Sequence, residues 1–186
     1  VSIGSQVMHM LTVIIVGFAM GTTVRVGRSV GAGDEKAAAE TVGTSIVLFV
    51  VFAAVVTCAL LVSTTAIVKV MLTPAEAAVE TKVYLAICFA GVPFITAYNV
   101  ISSIFRGAGD SRRPMYFVGI ACVVNIMLDF VFIGLCGMGA AGAALGTICG
   151  QAVSVAVSLF MMYRCNMGIR IVRQDIRMKR EVVSQI

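Results

Sequence analysis

Charged side chains fall in short clusters along this chain, with long apolar stretches between them. No Asp, Glu, Lys or Arg occurs from residue 1 to 24, 41 to 68, 83 to 105, 114 to 128 or 130 to 163. A helix that crosses the hydrocarbon core of a bilayer needs about 20 mostly apolar residues. Each stretch therefore predicts a span, and the last is double, divided by the glycine-rich "GLCGMGAAGAALG" at 134–146. The pattern predicts five transmembrane helices, at roughly 1–24, 43–70, 83–105, 114–134 and 141–163. Gly91 and Pro93 mark a kink in the third.

Composition makes water the wrong solvent. Hydrophobic residues form 60% of the chain, charged residues only 12%, and the mean hydropathy is +1.03, whereas soluble domains run near ~25% charged. The fold class expected is an all-α integral membrane protein. Val1 opens inside an apolar run with no basic n-region or cleavage site, so a signal peptide is not the reading. The chain reads as an internal piece of a longer polypeptide, its end "RMKREVVSQI" forming a polar linker. Six cysteines lack any CxxC spacing and read as small packing residues.

Charge then orients the spans. Connections on one side receive Arg25, Arg28, Lys36, Arg106, Arg112, Arg113, Arg164 and the basic tail through Arg180, while the other side receives Lys69 and Lys82. Positive loops stay cytoplasmic. The net charge of +5 thus reflects topology and contact with anionic lipid headgroups, and without interleaved aromatics or a binding module it gives no argument for nucleic acid. Residues 164–186 are expected to be a basic cytoplasmic linker.

Two of the cytoplasmic connections carry the same tetrapeptide, Gly31–Asp34 in "VGAGDEKAA" and Gly107–Asp110 in "RGAGDSRRP". A phosphate-binding loop would need GxxxxGK[ST] or GxGxxG, and Lys36 and Arg112 occupy the place of the third glycine. A turn accounts for the pattern better. Gly31, Gly33, Gly107 and Gly109 can end a helix in the left-handed region, and Asp34 and Asp110 can accept the first N–H groups of the next. The repetition suggests helix hairpins of one architecture.

Asp129 is the one acid inside a predicted span, at a cost on the order of 2.5–3.5 kcal/mol at a helix centre. Asn125 lies four residues earlier on the same face. At ~1.5 Å per residue Asp129 sits roughly 22 Å from Pro114, in the outer half of the bilayer, and Thr147 on the next helix reaches a similar level. Gln151 follows one turn deeper, and Gly142, Ala143, Ala144, Gly146 and Gly150 would let the two helices approach closely. Asp129, Asn125 and Thr147 make an all-oxygen cluster suited to a hard cation or to a proton. With a single carboxylate among them, a monovalent ion is expected and no other metal. The bland alternative is an Asp that only hydrogen-bonds a kinked helix. Gln151, His9, Gln6 and Asn99 are further candidates for a substrate cavity or its supporting groups, although a lone His9 equally reads as an interhelical hydrogen-bonder. No Ser-His-Asp set and no zinc spacing is present, so an enzyme is not expected.

These residues carry a resemblance. "FRGAGDSRRPMYF" followed by "NIMLDFVFIGLCGMGAAGAALGTICGQ" resembles the multidrug and toxic compound extrusion (MATE) transporters, whose RGxGDTRTP loop precedes a helix with NIxLD, a Gly-rich outer turn and GAAxATxxxQ. "VGRSVGAGDEKAA" is similar to the earlier cytoplasmic turn of the same lobe. Ser111, Arg113 and Gly146 depart from the usual threonines and alanine. The resemblance implies a twelve-helix protein of two six-helix lobes, with residues 1–163 as helices two to six of the N-terminal lobe. The missing first helix, which in such proteins bears a further Asp, and the C-terminal lobe would be its partners. It implies an antiporter of the prokaryotic inner (plasma) membrane that exports organic cations or amphipathic compounds in exchange for Na+ or H+ without a cofactor. In the DinF-like branch the ion site matches Asn125, Asp129 and Thr147. The alternatives are a lipid-linked oligosaccharide flippase of the same superfamily, disfavoured by the lack of Lys or Arg within the span cores, and a non-transporting membrane scaffold subunit.

Overall fold

The computed structural model describes residues 2–70 and 75–164. The basic tail at 165–186, with Cys165 and nearly all of the expected linker, lies outside the described residues. The elements run α1 (Ser2–Gly31), α2 (Glu35–Val70), α3 (Ala75–Ala90), α4 (Val92–Gly107), α5 (Arg112–Asp129), a π-helical segment (Phe130–Leu135) and α6 (Gly139–Arg164). Five helical stretches are long and apolar enough to cross a membrane: Gln6–Gly31, Glu35–Val68, Val79–Gly107, Arg112–Leu135 and Gly139–Arg164.

The helices outrun the apolar stretches of the sequence. α1 continues through Arg25 and Arg28 to Gly31, and α2 starts at Glu35, because backbone hydrogen bonding need not stop where the hydrocarbon does. The third span is broken where the sequence places Gly91 and Pro93. Gly91 ends α3 by donating its N–H toward the carbonyls of Ile87 and Cys88, and its own carbonyl accepts from Phe94 and Ile95. Pro93 stands in the first turn of α4, where its missing N–H costs nothing.

Both Gly-Ala-Gly-Asp turns close the same way. Gly33 and Gly109 have φ of 70° and 87°. The Asp34 N–H reaches back to the Ser29 carbonyl and Gly33 to Val30, and Asp110 and Gly109 repeat this to Phe105 and Arg106. This is the Schellman closure, which satisfies carbonyls that a helix end would otherwise leave bare. Each Asp then caps the following helix. Asp34 Oδ1 accepts from the Ala37 N–H at 2.9 Å, and Asp110 Oδ1 accepts from Arg112 and Arg113 at 3.1 Å each. In the second copy Arg113 also pairs with Asp110 at 2.9 Å and lies over the Phe105 ring.

The two turns sit side by side because α1 and α4 pack in parallel. The Thr23 hydroxyl donates to the Ser103 carbonyl, and a Cβ on Gly27 would stand 3.5 Å from the Gly107 carbonyl oxygen. Ala19, Val26, Val42, Phe49, Val100 and Ile104 fill the space between α1, α2 and α4. Ile101 and Phe105 of α4 meet Phe117 of α5, with the two phenyl rings edge to face at 5.5 Å. The outward faces are apolar, as a lipid-facing surface requires: Met115, Ile126, Met127 and Phe130 are all exposed. Among the described cysteines only Cys88 is buried, while Cys58, Cys122 and Cys136 are exposed on the outside of the bundle. The packing role expected of them thus applies to Cys88.

The two tetrapeptides differ in one respect that substitution can expose. A Cβ on Gly107 would stand 2.7 Å from Val26 Cβ and 2.8 Å from the Thr23 carbonyl oxygen, whereas Gly31 and Gly33 have nothing within 4 Å. Gly107→Ala is therefore expected to lower stability by about 1–3 kcal/mol through overpacking. Gly33→Ala should cost about 1 kcal/mol through its left-handed backbone alone, and Gly31→Ala should cost nothing. Thermal unfolding of the three variants in detergent checks the order, and equal losses at 31 and 107 would contradict the α1–α4 crossing.

Candidate cation site between α5 and α6

The hairpin of α5 and α6 is built on small residues. Gly142, Gly146, Gly150, Ser154 and Ser158 recur at every fourth position of α6 and all are buried. They form one ridge along the helix, and α5 lies against it almost backbone to backbone. A Cβ on Gly142 would meet Phe132 at 3.1 Å, and one on Gly150 would meet the Ala121 carbonyl oxygen at 3.1 Å and Asn125 Cβ at 3.3 Å. The Ser154 hydroxyl donates to the Phe117 carbonyl at 3.2 Å. Between lipid tails, helices associate through this kind of close packing and not through the hydrophobic effect.

This register sets the polar groups. Asn125 donates its side-chain amide to the Thr147 hydroxyl at 3.5 Å, and Thr147 in turn donates to the Ala143 carbonyl at 3.0 Å. Asp129 is half-buried, and its Oδ1 is enclosed against Gly146 with no hydrogen-bond partner. An unpartnered buried carboxylate oxygen is expensive, so the position favours a cation or a proton. The donor set fits such a ligand, because carboxylate, amide and hydroxyl oxygens all suit a hard ion. Among the described residues no group of three or more His, Cys, Asp or Glu side chains could hold a metal ion. One negative charge suits a monovalent cation.

Directly after Asp129 the helix widens. Phe130–Leu135 is π-helical, and the Cys136 N–H reaches the Val131 carbonyl five residues back. Such segments occur often at functional sites. Here the widening ends the helix at a turn in which Gly137 and Gly139 take φ of 64° and 55°, and the chain re-enters as α6. Apolar periodicity gives no signal for this segment, since every residue from Phe130 to Leu135 is apolar or glycine.

A second space adjoins the site. A cavity of about 440 Å³ lies between α1, the α3–α4 break and α6, lined by His9, Thr12, Tyr84, Cys88, Tyr98, Asn99, Thr147, Gln151 and apolar neighbours. Asn99 is buried and donates to the Ile95 carbonyl. His9, Asn99 and Gln151, scattered in the sequence, thus border one cavity together with Thr147. Gln6 does not belong to it. It is exposed on an open face of α1 that it shares with His9, Met10 and Val13. Tyr84 and Tyr98 were missed in the sequence, where an aromatic in an apolar run has no distinguishing neighbour. Thr147 is the shared element, touching Asn125 on one side and lining the cavity on the other.

An all-helical membrane bundle with a half-buried carboxylate and an adjoining polar cavity has the anatomy of a transport protein. A family model described as MatE matches residues 1–131. The chain belongs to the MatE family, which is a family of transporters and not of enzymes. It is 30% identical to a Thermotoga maritima protein named probable multidrug resistance protein NorM, over 88% of this chain and 36% of that protein. It is 36% identical to the probable multidrug resistance protein YpnP of Bacillus subtilis, over 53% of this chain and 22% of that one. A solved inward-facing conformation of a MATE family transporter of the MOP superfamily superposes with a TM-score of 0.88 at 26% identity, covering 94% of this chain and 40% of the other. A solved outward-facing conformation of such a transporter gives 0.90 at 25% identity, covering 98% and 41%. The chain therefore spans between a fifth and two fifths of the length of these relatives.

The register of α5 on α6 is open to a direct check. Asn125 Cβ lies 3.3 Å from the position a Cβ would take on Gly150, close to the ~3.5–4.5 Å span of a disulfide. With the native cysteines replaced, Asn125→Cys with Gly150→Cys should cross-link under mild oxidation. Met127→Cys with Gly150→Cys should not, since Met127 is exposed on the outer face. Mass spectrometry of the linked peptides reads the result.

Proposed function

We propose that this chain is the cation-coupling part of a secondary active exporter, which moves organic cations or amphipathic compounds outward in exchange for Na+ or H+. The observation that carries the reading is the unpartnered Oδ1 of Asp129, against Gly146 in the same α5–α6 hairpin that holds the Asn125–Thr147 contact. The names of the Thermotoga and Bacillus relatives as multidrug resistance proteins support it. Residues 1–163 then belong to an N-terminal lobe and 164–186 to a linker, and the whole exporter sits in the plasma membrane of a prokaryote. The Gly-Ala-Gly-Asp turns face the cytoplasm, consistent with the basic residues around them.

The coupling follows from the shared position of Thr147. A cation at Asp129 is held by oxygens, and Thr147 joins them by loosening its long contact to Asn125 or its bond to Ala143. Either adjustment moves a wall of the cavity. An ion that binds one conformation better than another shifts the equilibrium by that difference in affinity, and substrate binding changes ion affinity by the same factor. Among the described residues the cavity lining carries no Lys or Arg. A cavity without fixed positive charge accepts an organic cation and disfavours a phosphate-bearing lipid-linked sugar, which speaks against the flippase alternative.

Asp129→Asn in the full-length transporter tests the reading. The amide keeps the shape and removes the charge, so the variant should insert and fold normally but lose gradient-driven export of organic cations at least a hundredfold. Export against a gradient at the wild-type rate would make Asp129 a structural residue.

A further inference from the structure

His9, the single histidine of the chain, stands where two spaces meet. It lines the cavity of about 440 Å³ between α1, the α3–α4 break and α6. It also lines the open face of α1 formed with Gln6, Met10 and Val13. Among the described residues it is the one side chain common to both linings. α1 and α6 stand apart here, with no described Cα of one within 8 Å of the other. Thr147 and Gln151 of α6 therefore lie across the cavity from His9, and a molecule that enters over the α1 edge passes the imidazole. The lining holds no Asp, Glu, Lys or Arg, so a charge on His9 would be the one formal charge at the wall.

We infer that His9 is a specificity-determining residue at the mouth of this cavity, which admits an organic cation past its neutral imidazole and turns it away as an imidazolium. The inference rests on the reading of the cavity as the substrate space of an exporter. Histidine is the residue type whose charge changes between about pH 5 and 8. The other titratable groups that border the space are Tyr84 and Cys88 of α3 and Tyr98 of α4, and phenols and thiols have no cationic form. Glu80, one turn above Tyr84, is exposed and outside the lining. Asp129 belongs to α5, beyond the lining. α2 meets this end of α1 on another face, where Leu60 and Ile67 share an apolar cluster with Val7 and Leu11. Two unit charges roughly 9 Å apart, at an effective dielectric near 20, repel enough to weaken binding about 20-fold. Screening by salt trims this toward tenfold.

The test measures binding of tetraphenylphosphonium, a cation whose charge does not titrate, to the purified full-length transporter in detergent at about pH 8 and about pH 5.5. Wild-type affinity should fall at least tenfold on acidification. His9→Gln, whatever its absolute affinity, should bind equally well at both values to within about twofold. His9→Arg carries a permanent charge and should bind weakly at both. Asp129→Asn should keep the wild-type drop, because the proton that matters here is on His9. A wild type that binds equally at both values overturns the inference. So does a drop that survives His9→Gln or disappears in Asp129→Asn, which would place the proton elsewhere and leave the exporter reading standing. If the wild type does not bind the cation even at the higher pH, the exporter reading falls and this inference with it. Should His9→Arg fail to fold, His9→Gln and Asp129→Asn decide the question between them.

Discussion

The close approach of α5 to α6 along the Gly142–Ser158 ridge is the constraint on which the rest of this structure depends. In lipid a helix gains little by covering an apolar face, since the tails are as apolar as leucine. Association has to come from dense contact between backbones and from the hydrogen bonds that contact allows. The ridge supplies both, with glycines against Phe132, Asp129 and Asn125 and a serine hydroxyl reaching the Phe117 carbonyl. A larger residue at Gly150, which faces Ala121 and Asn125, would press directly on this contact.

The same economy explains the half of the bundle nearest the Gly-Ala-Gly-Asp turns. Thr22, Thr41, Thr44, Ser45, Ser102 and Ser103 are buried, while Val50, Val55, Val62 and Phe18 are exposed. Small hydroxyl residues thus share the interior with Val26, Val42, Phe49 and Ile104. The small hydroxyl residues pack closely, and several return their O–H groups to the chain, while Ser102 Oγ has no partner. Thr41 donates to the Ala37 carbonyl at 2.7 Å and Ser103 to the Val100 carbonyl at 2.7 Å. Thr22 donates to Ser45 across α1 and α2, and the Thr41 hydroxyl also accepts from Arg25. Large apolar residues such as Val50, Val55, Val62 and Phe18 are left on the outside.

This mixed interior, with apolar residues on both sides of each helix, also decides what could be read in advance. The spans were legible because a charge-free run of that length has no other stable home, and the turns were legible because Gly-Ala-Gly-Asp states its own geometry at Gly33 and Gly109. Asp129 announced itself by its cost. The faces of the helices were not legible, since lipid and core are both apolar and the pattern of apolar residues does not separate them. Gln6 and His9 do share a face of α1, yet only His9 also lines the cavity. The same ambiguity is why Tyr84 and Tyr98 passed unnoticed. The π-helical segment after Asp129 is set by where α5 must end relative to α6, a tertiary requirement that leaves no local mark in an unbroken apolar sequence.

Gly146 shows the limit from the other side. Read along the chain, it is one small residue in a small-residue run and serves only helix contact. In three dimensions it lies opposite the carboxylate of Asp129, and the oxygen fills its empty position. The glycine ridge therefore has two physical roles that sequence cannot separate. At Gly142 and Gly150 the absent side chain admits a neighbouring helix, and at Gly146 it admits a charge. A carboxylate brought this close to a helix backbone, without a donor to satisfy it, would be ejected from a lipid-facing surface by its desolvation cost. It is retained because the tight hairpin fixes the backbone of both helices around it. The packing that holds this hairpin together and the seat of the Asp129 carboxylate are thus one arrangement, and a change in either has to be felt by the other.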